Sequence, residues 1–291
     1  MPIIRNAHAK INLTLEVLGL RSDGFHEIRS VMQMISLCDT LTFEKDASGM
    51  LTLTGGTDDA PPAENNLVLR AARALQATMK TRRGARIHLE KRIPVGAGLG
   101  GGSSDAAATL KALNALWGAH RSEKQLLKLA ASLGSDIPFF LSKGCALVTG
   151  RGETITPAGP LPEMHLVLAK PVESLPTPKV YAEWDRSGVP HDGANHSAKL
   201  LADPGHAGSF LWNDLHAPAV RLCPGIAQIL DHLKSLGIAN AMVSGSGSAV
   251  FGVCECGEQA IKAADSLAET TQGVWAAPSV TIQDVIGEVV P

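Results

Sequence analysis

The chain has 291 residues, 45% of them hydrophobic and 19% charged, the balance of a globular protein long enough for one large domain or two ordinary ones. Lys and Arg number 26 against 28 Asp and Glu, a net charge of −2, so no global positive field draws nucleic acid or an anionic membrane, and any anion has to be bound locally. No apolar run is long enough to span a bilayer, Met1 to Asn6 lacks the basic and apolar regions of a signal peptide, and the 5 scattered cysteines read as reduced thiols, so the expectation is a cytoplasmic protein with neither a nucleic-acid nor a membrane partner.

Near the N-terminus, Ile11, Leu13, Leu15 and Val17 alternate with Asn12, Thr14 and Glu16, the period of a half-buried strand. Lys10 and Asn12 fall on the opposite face, and periodicity alone sends that face to solvent. Arg21-Ser22-Asp23-Gly24-Phe25-His26-Glu27 reads as a turn, with one of its two adjacent rings anchoring the loop to the core. Ile28 to Phe43 reads as a second strand region, Leu51 to Thr54 as a short strand and Gly55 to Glu64 as a loop. Asn66 is placed to cap a helix over 67–79, whose apolar face carries Leu67, Ala71, Ala74 and Leu75. Ala85 to Ile93 is a strand.

That strand leads into Pro94-Val95-Gly96-Ala97-Gly98-Leu99-Gly100-Gly101-Gly102-Ser103-Ser104, a stretch with two hydroxyls and no Lys or Arg. Glycines this dense allow positive φ and close backbone approach to a ligand. A helix beginning right after them, predicted over Asp105 to Trp117 and stopped by Gly118, points free N–H groups and the positive end of its dipole at the loop. Together these cradle phosphate without a cationic side chain. Gly96-x-Gly98-x-x-Gly101 also fits the dinucleotide fingerprint, but Arg121 to Gln125 reads as a helix start where a second strand with its acidic residue is required. A P-loop needs Lys before Ser, and Gly102 stands there. A flexible linker is seldom wedged between a strand and an Ala/Leu-rich helix.

Ser122-x-x-Gln125 is a capping-box pattern opening a helix that Gly134 closes. Asp136 then sits on a turn two residues before Pro138, and from its surroundings alone it is a helix cap. Pro157, Pro160 and Pro162 mark a boundary dividing 1–157 from 158–291. Beyond it come a strand over 165–169, a helix entered through Pro176 and Tyr181, and helices over 213–222 and 225–236. Short strands over 241–243 and 249–251 flank a second turn, Ser244-Gly245-Ser246-Gly247-Ser248, and a helix over 258–270 precedes one or two strands within 274–290.

Ala9-Lys10-Ile11-Asn12-Leu13, the glycine stretch and Ser244 to Ser248 resemble, in order and spacing, the three signatures of the GHMP kinases, the superfamily of galactose, homoserine and mevalonate kinases. The resemblance spans nearly the whole chain. It implies an α+β fold of two domains, an N-terminal ATP-binding one and a C-terminal one, with the active site in the cleft between them. Arg21-x-Asp23-Gly24-Phe25-His26, Gly134 to Phe140, and Pro176-Thr177-Pro178 with Tyr181 resemble the branch that acts on a cytidine diphosphate-linked methylerythritol. The implied reaction moves the ATP γ-phosphate to a tertiary hydroxyl on the non-mevalonate route to isoprenoid precursors. By this likeness Asp136 matches the catalytic base and Lys10 the lysine that offsets charge developing on the phosphoryl oxygens. Pro94 to Ser104 binds ATP, with Mg²⁺ expected alongside it and Ser103 or Ser104 reaching the ion or a phosphate. Asn12, Phe25, His26 and Tyr181 bind the cytidine substrate, His26 on the cytosine edge and Tyr181 on its ring. Phe25 replaces a more usual tyrosine, keeping the ring and losing its hydroxyl. A kinase for another small alcohol, such as homoserine or a mevalonate-type substrate, and a non-catalytic nucleotide-binding regulator are the alternatives. The Phe25-His26 turn argues against the first, and the presence of both Lys10 and Asp136 against the second. The expected assembly is a monomer or a weak homodimer, with metal ligands left open.

Overall fold

A computed structural model describes residues 1–57, 65–79, 82–142, 144–188 and 191–283. The N-terminal half is built on one long strand. β1 (Ile3–Asn12) and β2 (Thr14–Leu20) lie along one edge of β3 (His26–Asp46), a 21-residue strand. After β4 (Leu51–Gly55) and α1 (Leu67–Met79), β5 (Gly84–Glu90) pairs with the far half of β3 on its other edge. α2 (Gly101–Leu116), α3 (Glu123–Leu133) and a short 3-10 turn, Ile137–Leu141, lead to β6 (Cys145–Gly150), which pairs with the near half of β3, and to β7 (Thr154–Pro157).

The C-terminal half adds β8 (His165–Lys170), α4 (Thr177–Ser187), α5 (His196–Ala202), the two-residue β9 (Trp212–Asn213), α6 (His216–Leu222), α7 (Pro224–Ser235), β10 (Ala241–Val243), β11 (Val250–Cys254), α8 (Gly257–Thr270) and β12 (Trp275–Val280). Its own antiparallel sheet runs β10-β11-β8-β12. β9 leaves that sheet and pairs in parallel with β2 instead.

Burial follows from pattern. β5 alternates strictly, with Ala85, Ile87 and Leu89 buried and Arg86, His88 and Glu90 exposed, so one face packs on the helices and the other meets water. α1 would be marginal alone at 13 residues. Val68, Leu69, Ala71, Ala72 and Leu75 bury its apolar face, and each fully buried Leu or Val contributes ~1.5–3 kcal/mol, well above any difference in helix propensity. Three apolar clusters result among the described residues. The first lies between the N-terminal sheet and α1, α2 and α3, and the second under the C-terminal helices. The third joins Ala9, Ile11, Leu13, Val31 and Ile35 to Leu166, Leu168 and Phe251 across the two halves.

Several elements differ from the sequence expectation. The Ile11–Val17 alternation breaks at Leu13 into two strands, and the first begins at Ile3. The polar face expected in solvent is buried: Lys10 is 3% exposed, Asn12 1% and Glu16 0%. The cause is that the second half of the chain covers it, which a local period cannot register. A register shift between His8 and Lys10 also changes the inward parity, so Ala7 packs in the helical core while Ala9 and Ile11 pack between the halves. α2 starts at Gly101, four residues earlier than predicted, because Gly100 at φ 72° turns the chain directly into it. Asn213 is in a strand and its helix begins only at His216, while α5 and the turn Pro204–Ser209 went unpredicted. The caps are as read: Asn66 Oδ1 accepts from Val68 N at 2.9 Å, and Ser122 and Gln125 form both halves of a capping box. Most of the Gly55–Glu64 loop and the end of the 274–290 segment lie outside the described residues.

Candidate active site

The glycine stretch enters α2 through a tightly packed turn. Gly96, Gly98 and Gly100 all have positive φ. An added Cβ at Gly98 would lie 2.3 Å from Ser244 O, and one at Gly100 would lie 2.7 Å from Phe140 Cζ and 3.1 Å from Lys10 Cγ. Only glycine fits these two positions. No side chain caps α2, and Ser104 N is the first loop amide to turn inward, to Gly100 O at 2.9 Å. The amides of Gly101, Gly102 and Ser103 are thus left at the positive end of the helix for an anion. Leu99 and Ser104 are themselves buried, whereas Gly102 is exposed and Ser103 half-buried at the cleft wall. Ser103, not Ser104, is therefore the hydroxyl presented to the cleft.

The second glycine/serine turn braces the first. Ala249 N donates to Ala97 O at 2.9 Å and Ser244 Oγ to Gly98 O at 3.2 Å. Asn213 Nδ2 donates to both Val243 O and Gly245 O at 2.8 Å, fixing the second turn from β9.

Lys10 reaches the same point from β1. Its Nζ donates to Asn12 Oδ1 at 2.6 Å and to Gly98 O at 2.7 Å, and its backbone N donates to Leu99 O at 3.0 Å. Asn12 is held in turn by Nδ2 donating to Ser30 Oγ at 2.8 Å. Burial lowers the Lys10 ammonium below its ordinary value, and the negative charge of Asp136 opposes that shift. Asp136 stands at the head of the 3-10 turn but makes no side-chain cap, so its carboxylate is not committed to helix capping as the local pattern suggested. Lys10 acts on it through space, since the ammonium bonds elsewhere.

Phe25, His26 and Tyr181 line the other end of the cleft, whose volume is ≈ 790 Å³. His26 and Tyr181 stack at 4.7 Å between centroids with an interplanar angle of 25°. His26 Nε2 lies 2.9 Å from Asp185 Oδ1. A carboxylate only accepts, so Nε2 carries the proton and Nδ1 of a neutral ring is the remaining acceptor. Burial and the Asp136 charge both raise the Tyr181 phenol above its ordinary value, which places that carboxylate within electrostatic reach of the ring as well as of Lys10. Phe25 is 50% exposed, with the Arg151 guanidinium 5.0 Å over its ring.

Several participants escaped the sequence. Lys91, three residues before Pro94, lines the cleft and is clamped between Asp39 and Asp105, with Asp105 Oδ2 at 2.9 Å. Burial and the neighbouring Asp39 raise the Asp105 carboxyl to about 7 even though Lys91 pulls it down. Asp105 Oδ1 is buried without a hydrogen-bond partner among the described residues. A Lys flanking a phosphate loop was a visible signal, but its two carboxylates come from separate segments. Arg151, Asp185 and Asn213 carried no local signal.

Comparison with known proteins gives one consistent result. The family profile for the GHMP kinases N terminal domain matches residues 66–144, and that for the GHMP kinases C terminal matches residues 195–272. The chain is 44% identical over 257 residues to 4-diphosphocytidyl-2-C-methyl-D-erythritol kinase of Pelotomaculum thermopropionicum, covering 87% of this chain and 89% of that one. It is 43% identical to the same-named kinase of Moorella thermoacetica, covering 91% and 94%. A crystal structure of 4-(cytidine 5'-diphospho)-2C-methyl-D-erythritol kinase superposes with a TM-score of 0.81 at 38% identity, over 96% of this chain and 98% of that one. Homoserine kinase from Cytophaga hutchinsonii, at 18% identity and a TM-score of 0.72, shares the fold.

Proposed function

The chain belongs to the GHMP kinases, and on that premise we propose that its cleft passes the γ-phosphate of ATP to the 2-hydroxyl of 4-diphosphocytidyl-2-C-methyl-D-erythritol. It is an ATP-dependent phosphotransferase with an alcohol acceptor, working on a small molecule. One observation carries the assignment of roles: Lys10, Asp136, the glycine turn, and the pair His26 and Tyr181 all line a single cleft.

A tertiary alcohol is a weak nucleophile, and Asp136 takes its proton as attack on the γ-phosphorus begins, a contribution of about 10²–10⁴-fold. The acceptor oxygen forms the new P–O bond and ADP leaves with its β–γ bridging oxygen. Lys10, held by Asn12 and Gly98 O, places a fixed positive charge where the phosphoryl oxygens gain negative charge. The free amides of Gly101, Gly102 and Ser103 hold the donor phosphates. Mg²⁺ is expected with ATP, and Ser103 Oγ and the Asp136 carboxylate are oxygen donors of the hard type it prefers. Among the described residues no group of three or more His, Cys, Asp or Glu could hold a metal ion. When bound, that ion offsets the charge of the phosphates. At the other end, His26 Nδ1 accepts from the cytosine amine and Tyr181 offers its ring.

Residues 1–157 and 158–291 form the ATP-binding and C-terminal domains in this reading, and the protein works in the cytoplasm as a monomer or weak dimer. No helix among the described residues is long and apolar enough to cross a membrane. The test is ADP release with a panel of acceptors. The cytidine diphosphate-linked methylerythritol should be turned over and homoserine and mevalonate should not. Release with either simpler alcohol at comparable efficiency overturns the assignment, as does nucleotide binding with no turnover on any acceptor.

A further inference from the structure

Among the described residues, three Lys or Arg side chains line the cleft: Lys10, Lys91 and Arg151. Two are already answered. Lys10 is bonded to Asn12 and to Gly98 O and faces the charge of Asp136, and Lys91 sits between two carboxylates. Among the described residues, the Arg151 guanidinium has neither an ion pair nor a hydrogen bond, and it lies 5.0 Å over the Phe25 ring. A ring face attracts a cation modestly and satisfies none of its five N–H donors.

Its two neighbouring glycines lie close to two parts of the acceptor site. On one side, Gly150 N donates to Glu27 Oε1 at 3.1 Å, next to His26. On the other, a Cβ on Gly152 would lie 3.4 Å from Asp136 Oδ1. Arg151, between these two glycines, lines the same cleft as the base-reading ring of His26 and the carboxylate of Asp136. A substrate with its cytosine at His26 and its hydroxyl at Asp136 has its diphosphate between them. The donor phosphates, by contrast, have the helix amides.

We infer that Arg151 is the cation that holds the diphosphate of the acceptor substrate. The inference rests on the proposed function, which supplies the two fixed ends. It makes Arg151 a specificity-determining residue: the planar fork pairs two oxygens of one phosphate, leaving the Phe25 face when substrate arrives. An acceptor without the diphosphate forgoes that pairing, so the cleft discriminates against simple alcohols by charge as well as by the base.

The experiment measures displacement of the acceptor by CDP and by cytidine, with a non-hydrolysable ATP analogue filling the donor site, in the full chain and in Arg151→Gln and Arg151→Lys. The unmodified protein should bind CDP tighter than cytidine by a factor on the order of 10–100, the range of a charge-assisted hydrogen bond. In Arg151→Gln that ratio should collapse toward unity while cytidine affinity holds. Arg151→Lys should keep part of it. The KM of the acceptor should rise in the Gln variant by the same factor and the KM of ATP should stay. Equal weakening of CDP and cytidine would mean that Arg151 merely props Phe25, and an unchanged ratio, or a rise in the KM of ATP alone, would put the cation elsewhere. Each of these overturns the inference. If neither CDP nor cytidine displaces the acceptor from the unmodified protein, the cytidine reading itself fails, and the inference with it.

Discussion

At the glycine-turn end of the cleft, the proposed phosphate site, Lys10 is 3% exposed, Gly98 O accepts from both Lys10 and Ser244, and a methyl group added at Gly98 or Gly100 has nowhere to go. At the proposed base end, Phe25 is 50% exposed, and the contacts are side chain to side chain: His26 on Tyr181, His26 to Asp185, Arg151 over Phe25. The first end is built of backbone groups fixed by tertiary packing, the second of rings and charges that can re-aim. Chemistry that is common to a superfamily gains from the first kind of construction, because preorganised dipoles need no rearrangement during transfer. Selectivity for one acceptor can reside in the second, where substitutions alter recognition without disturbing the fold.

The comparison breaks most sharply at Asp136. Asp136→Asn should lower kcat by at least about 10²-fold, with ATP affinity within a few-fold, as measured by steady-state turnover and nucleotide titration. Loss of folding with normal turnover in the folded fraction would return Asp136 to the role of a cap. Next, Gly100→Val meets Phe140 and the Lys10 stem, both part of the packed end, so it should cost nucleotide affinity and melting temperature together. Gly102→Ala meets only Leu67 Cδ1 at 3.6 Å and isolates the first effect: the fold should stand while the methyl group crowds the donor phosphates. Full ATP affinity in both variants, once folded, would remove the cradle. At the base end, Tyr181→Ala should raise the acceptor KM by roughly 1–3 kcal/mol of lost stacking and leave the KM of ATP in place. Equal weakening of both nucleotides would dissolve the division between the two ends.

The smallest effect concerns Asp105. Its folded pKa is raised, so the folded chain binds this proton more tightly than the unfolded one. The stability this adds is complete below the ordinary carboxylate pKa and is lost as pH rises through about 7. Asp105→Asn should flatten that decline, gaining ~1–3 kcal/mol relative to the unmodified chain between pH 5 and 8, read from urea midpoints at both values. An unchanged slope would mean that Lys91 alone balances both carboxylates.

What was legible follows the same division. The glycine turn announces itself because backbone geometry demands glycine at fixed spacings, and the capping box at Ser122 because its two partners are three residues apart. The burial of Lys10, Asn12 and Glu16 was not legible. What covers β2 comes from far along the chain, and Ser197 Oγ, 181 residues away, donates to Glu16 Oε2 at 2.6 Å. Arg151 and Asp185 likewise acquire meaning only when β3 and α4 bring residues 25, 26, 151 and 185 together. The start of α2 at Gly101 was hidden for another reason: glycine has poor helix propensity, and tertiary packing around Gly101, where an added Cβ would lie 2.9 Å from Ile93 Cγ2, overrides it.

The pairing of β9 with β2 bears on how far the two domains can be treated as parts. Trp212 N donates to Leu13 O at 3.1 Å, and Asp214 Oδ2 accepts from Val17 N at 2.7 Å, so the second half lends the first an edge strand. Ile35 bridges to Thr281, and Ile282 N donates to Met34 O at 3.0 Å, so the first half also holds the stretch that follows β12. A gene cut between codons 157 and 158 would therefore yield two fragments that each expose unpaired strand edges and half of the shared apolar cluster. Neither fragment is an interchangeable module. Recombining either half with the complementary half of another kinase would require matching Trp212 to Asp214 to β2, and Thr281 and Ile282 to β3.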